Sequence, residues 1–130
     1  MEIKDLLQTG DWKAEKHSPV IEVEGSAKAG EIISVKVSIG KEIAHPNTTA
    51  HHISWVEVFF KPEGDKFPYQ IGRFDFTAHG ASAQGPDTST VYTDPNVVVR
   101  FKTEKAGTIL ATSFCNVHGL WTSSLDLNLE

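Results

Sequence analysis

Cys115 and His118 stand three residues apart in Phe114-Cys115-Asn116-Val117-His118-Gly119-Leu120-Trp121, and Cys115 is the only cysteine of the chain. A thiolate and an imidazole at that spacing can reach one metal ion across a tight turn. Four of the other five histidines lie far upstream: His17 in Glu15-Lys16-His17, and His45, His51 and His52 in a single loop that turns at Pro46-Asn47. A lone buried cysteine is commonly an inert small hydrophobe, and a lone histidine a satisfied polar side chain. The crowding of three histidines into one proline-turn loop is what brings a metal site level with that ordinary explanation.

Ligand type narrows the metal. One thiolate with several imidazoles suits zinc, copper or iron. Structural zinc usually draws on two or more cysteines in paired short spacings, and this chain has one. A blue-copper site needs an upstream histidine, a Cys-His pair and a weak axial ligand, most often methionine. The only methionine is Met1, and neither Met nor Gln follows His118. The upstream histidines are also too many for a three-ligand copper site. Four imidazoles and one thiolate fit a five-coordinate iron with one open position, where a small ligand can react.

These groups need a scaffold, and the chain reads as β-strands. Ile33, Val35, Val37 and Ile39 alternate with Ser34, Lys36 and Ser38, the period of a half-buried strand. Further strands are predicted over 20–23, 53–61, 69–76, 97–102 and 108–114, with a short one at 90–92 and a last one at 125–129. Gly72 reads as a bulge or a close contact within its strand. Ile3, Leu6 and Leu7 share one face of a short N-terminal helical turn that Gly10 would stop. The expected fold is all-β, an immunoglobulin-like β-sandwich with that helical turn, in a single domain over 1–130. The histidine and cysteine stretches all fall between strands, where a sandwich presents functional groups.

The 130 residues suffice for one real core. A net charge of −5 disfavours general nucleic-acid binding, which needs a basic face. The same charge repels anions, so an anionic substrate requires a local positive group. No run is long and apolar enough to span a membrane. Met1–Leu7 lacks the basic start and apolar core of a signal peptide, and one cysteine agrees with a reducing compartment, so a cytoplasmic location is expected.

Three motifs in order, Glu-Lys-His-x-Pro-Val-Ile-Glu at 15–22, His-Pro-Asn-Thr-Thr-x-His-His at 45–52 and Cys-Asn-x-His-Gly-Leu-Trp at 115–121, resemble the superoxide reductases, and most closely the single-domain neelaredoxin type. Gly-Lys-Glu-Ile at 40–43, Thr-Ala-His-Gly at 77–80 and Val-Tyr-Thr-x-Pro at 91–95 extend the resemblance over nearly the whole chain. The two-domain desulfoferrodoxins add an iron module held by four cysteines, which a single cysteine cannot supply. The chain departs from the pattern at Ala50, commonly Glu in relatives, and Ala44, often Pro; neither is a ligand position.

The resemblance implies one iron per chain, with His17, His45, His51 and His118 as equatorial ligands and Cys115 as the axial thiolate. It implies that superoxide is reduced to hydrogen peroxide without release of oxygen. Lys16 is expected to supply the positive charge that draws superoxide in, and Glu15 resembles the family residue that can occupy the sixth site of ferric iron. His52 and His79 match no ligand position and are read as structural. The resemblance further implies rubredoxin as electron donor and a tetrameric assembly. A cupredoxin-like electron-transfer protein and an immunoglobulin-like binding module with incidental histidines are the competing readings.

Overall fold

Alternation along the strands decides which side chains face inward. The computed structural model describes residues 1–130 and has seven strands: β1 Val20–Glu24, β2 Ile33–Ser38, β3 Ile53–Pro62, β4 Tyr69–Asp75, β5 Asn96–Phe101, β6 Gly107–Cys115 and β7 Gly119–Leu127. They form two antiparallel sheets, ordered β1-β2-β5 and β4-β3-β6-β7. Val35, Val37, Val97 and Val99 of the first sheet and Val56, Val58, Ile109 and Ala111 of the second are buried in one apolar cluster between them. Each fully buried aliphatic side chain there contributes about 1.5–3 kcal/mol. The all-β, immunoglobulin-like sandwich is therefore the observed fold. The N-terminal helical turn is a 3₁₀ turn, Ile3–Asp5, that ends well before Gly10.

Strand β6 lies in the middle of its sheet and shows the clearest alternation. Gly107, Ile109, Ala111, Ser113 and Cys115 are all buried, with partly exposed residues between them. Cys115 is thus the last inward side chain of a core strand, and its thiol lies where the apolar core ends. Strand β3 starts opposite it, with Ile53 paired to Cys115 and Trp55 to Phe114. Ser54 is the extra residue, a bulge that lets Ile53 and Val56 both face inward despite their opposite parity. A second bulge falls at Ile71, since Val58 pairs with Gly72 and Phe59 with Gln70. A Cβ on Gly72 would stand 3.1 Å from Val99 and from the Phe74 ring, so this glycine marks both a bulge and a close contact.

Two stretches differ from the sequence expectation. Residues 90–92 form no strand, only an isolated bridge between Tyr92 and His79. The last strand begins at Gly119, not at Leu125. No helix is long and apolar enough to cross a membrane.

Candidate metal centre

Three segments converge where β3 begins, β6 ends and β7 starts. His17 lies just ahead of β1, and its carbonyl accepts the Ser113 hydroxyl of β6 at 3.4 Å. His45 and His51 sit in the connection from β2 to β3. That connection depends on Gly40, whose φ is +82° and whose Cβ, if present, would lie 2.6 Å from the backbone nitrogen of His45. Cys115 and His118 belong to the β6–β7 hairpin. Cys115 pairs with Gly119, leaving a three-residue turn, and Gly119 supplies the positive φ of +85° such a turn needs.

Side-chain donor atoms of His17, His45, His51 and Cys115 lie within 4.8 Å of one another. His118 stands at the edge of this group. Its Nδ1 is 3.2 Å from His17 Nε2 and 3.9 Å from Cys115 Sγ. The four rings close a cycle: centroids are 4.8 Å apart for His17–His45, 4.9 Å for His45–His51, 5.0 Å for His51–His118 and 4.9 Å for His118–His17. Each neighbour is edge-on or tilted to the next. Trp121 stacks on His17 at 4.8 Å and 11°, walling one side.

Two outer nitrogens are spoken for, and two inner ones are not. His17 Nδ1 is hydrogen-bonded to the Glu15 carboxylate, and His45 Nδ1 donates to the Pro46 carbonyl at 2.7 Å. In a neutral imidazole that leaves the lone pair on Nε2. Nε2 of His45 and Nε2 of His51 are buried with no hydrogen-bond partner at all. Two orphaned buried nitrogens beside a buried thiol cost free energy unless something accepts their lone pairs, and a cation does so. Cys115 Sγ accepts the His118 N–H at 3.3 Å. The donor set therefore fits a metal ion.

Electrostatics point the same way. Burial first, and then the charges of His17, His51 and Lys16, push His45 down to about 4 against the opposing hydrogen bond to Pro46. Burial also lowers His51, helped by His118, His17, Lys16 and His52. Both rings are neutral at pH 7, the state that binds metal.

The desulfoferrodoxin family profile matches residues 9–124, nearly the full chain. The chain belongs to the desulfoferrodoxin family. It is 54% identical to the neelaredoxin of Megalodesulfovibrio gigas over 100% of both chains. It is also 54% identical to the superoxide reductase of Pyrococcus furiosus, over 96% of this chain and 98% of that one. The solved structure of the reduced superoxide reductase (neelaredoxin) of Archaeoglobus fulgidus superposes with a TM-score of 0.91 at 60% identity, over 95% of this chain and 99% of that one.

Of the residues singled out in sequence, this desulfoferrodoxin domain brings His17, His45, His51 and Cys115 to one place, with His118 at the edge. Glu15 is near but turned aside. Its carboxylate accepts the backbone N–H of His17 at 2.6 Å and of Ser18 at 2.8 Å, besides holding His17 Nδ1. Burial raises the Glu15 carboxyl, but the His17 side chain and the His17 and Ser18 amides outweigh it and hold it below its ordinary value. Lys16 is half-buried, forms no ion pair, and lies near enough to depress His45 and His51. Met1, the only methionine, is fully exposed at the chain end. His52 faces away: its Nδ1 donates to the Thr48 carbonyl at 2.9 Å and its ring stacks on His79 at 3.6 Å.

Supporting residues went unnoticed in the sequence. Gln8 donates through Nε2 to the His118 carbonyl at 2.8 Å, and Asn47 donates to the Thr93 carbonyl at 2.7 Å while its Oδ1 faces His79 Nδ1 at 2.9 Å. The position of Asn47 in the His-Pro-Asn turn was a usable signal, since Asn at turns commonly bonds the backbone. Nothing local marks Gln8.

Proposed function

We propose that this chain is a superoxide reductase, with residues 1–130 acting as one mononuclear iron domain. The observation that carries the reading is the pair of buried, unpartnered Nε2 atoms of His45 and His51 facing the Cys115 thiol. His17, His45 and His51 through Nε2 and His118 through Nδ1 would hold the metal, with Cys115 as the fifth donor. Iron held by these five donors would supply one-electron ferrous–ferric chemistry to a small ligand. The balance is one superoxide, one electron and two protons to one hydrogen peroxide.

The chain's own residues prepare that chemistry. Lys16 supplies a positive charge against a net −5, so that a small anion is drawn to this end of the sandwich. The His45 and His51 rings, both held below the usual imidazole range by burial, add little charge. The thiolate of Cys115 is a strong electron donor, moderated by the N–H of His118 on its sulfur. Glu15 fixes the His17 tautomer, and the family resemblance makes it the displaceable occupant of the open position. Rubredoxin as donor, a tetrameric assembly and a cytoplasmic location complete the reading on family resemblance.

Metal content and the visible spectrum of the oxidised protein test it. Iron near one per chain is expected, with a thiolate-to-ferric charge-transfer band that disappears or shifts strongly in Cys115→Ser. Copper hyperfine structure in the electron paramagnetic resonance spectrum, or a band indifferent to Cys115→Ser, would sink it.

A further inference from the structure

Asn116 opens the turn between Cys115 and Gly119 and is exposed. Its carboxamide does not reach solvent alone. Oδ1 accepts the His52 N–H at 2.8 Å, and Nδ2 donates to the Ala50 carbonyl at 2.9 Å. Its own backbone N–H donates to the His52 carbonyl at 3.2 Å. These bonds bracket His51 from both sides. They lie where the β3–β6 ladder has stopped, since Ile53 paired to Cys115 is its last rung. At the next position the backbone makes only half a rung: the Asn116 N–H reaches the His52 carbonyl, but the His52 N–H turns to the Asn116 side chain.

We infer that Asn116 is a positioning residue: its carboxamide supplies the bonds that the half-made rung leaves out and sets His51 relative to Cys115 so that both reach one metal ion. The inference rests on reading the cluster as a metal centre. The task needs a donor and an acceptor in one rigid planar group, which an amide provides. Aspartate keeps the acceptor for His52 but turns an oxygen toward the Ala50 carbonyl. Alanine keeps neither. The sulfur of Cys115 is held independently by the His118 N–H, so loss of the carboxamide displaces His51 and leaves the Cys115–His118 pair in place.

The test compares metal-free wild type, Asn116→Ala, Asn116→Asp and, as a neighbour with an exposed apolar side chain, Val117→Ala. Each is titrated anaerobically with ferrous iron, and the melting of each metal-free form is recorded. Wild type and Val117→Ala bind equally. Both Asn116 variants lose about 10–100-fold in affinity, the usual effect of removing a partner that orients a ligand. Their metal-free melting temperatures stay with wild type, and the iron-saturated, oxidised Asn116→Ala protein shows a shifted charge-transfer maximum. Unchanged affinity in both variants overturns the inference. So does a metal-free melting temperature that falls in step with affinity, because the role is then merely structural. Wild type that takes up no iron overturns the metal-centre reading itself, and this inference with it.

Discussion

At the scale of single residues, the donors and their partners have separate tasks. Lys16 touches no acid, and its influence on His45 and His51 is purely through charge. Lys16→Ala should slow the second-order reaction with superoxide by about tenfold or more and flatten its ionic-strength dependence. Stopped-flow or pulse-radiolysis rates over a salt series check this; unchanged rates and slope would remove Lys16 from the encounter. Residue types alone made Cys115, His118 and the crowded histidine loop legible as ligand material. They could not separate His51 from His52. Only the direction in which the chain enters β3 sends one ring inward and stacks the other on His79. The hold of Glu15 on the His17 and Ser18 amides was equally hidden, because it depends on a turn that no periodicity announces.

At the scale of elements, the site is made by where strands stop. The strict alternation of β6 was readable and carried Cys115 to the end of the inward row. The first half of β7 was not, because Gly119 to Ser123 are all partly buried and give no two-residue period. Thr90-Val91-Tyr92 has β-prone residues but no continuous partner strand, so propensity did not prevail there. The loop carrying His45 and His51 closes onto Gly40 at a backbone geometry that only glycine adopts easily. Gly40→Ala would strain that φ and drive a methyl into the His45 amide. We expect a loss of about 1–3 kcal/mol in folding stability, read by denaturant titration of the metal-free protein, together with weaker iron binding. A variant as stable as wild type would show that the loop has slack.

At the scale of the whole molecule, two sheets made by pairing distant strands, β2 with β5 and β3 with β6, gather segments a hundred residues apart. Strand order was beyond sequence reading, because these pairings are long-range and no local signal selects them. Stability should follow the buried histidines. Burial holds His79 below its ordinary value despite its hydrogen bond to the Phe76 carbonyl, and His45 and His51 are lowered too. The unfolded chain therefore takes up protons first as pH falls. The contribution is complete above the usual imidazole value of about 6.5 and is lost below it, by at most about 1.4 kcal/mol per pH unit for each histidine. Metal-free protein should melt progressively lower from pH 7 toward pH 4, and His79→Gln should flatten part of that slope; a pH-independent melting temperature would contradict it. The fate of superoxide separates a reductase from a dismutase. The most direct measurement is the yield of hydrogen peroxide and oxygen when the reduced, iron-loaded protein consumes superoxide. A reductase gives one peroxide per superoxide and no oxygen. Oxygen evolution with one peroxide for every two superoxides would mark a dismutase and rule out the reductase.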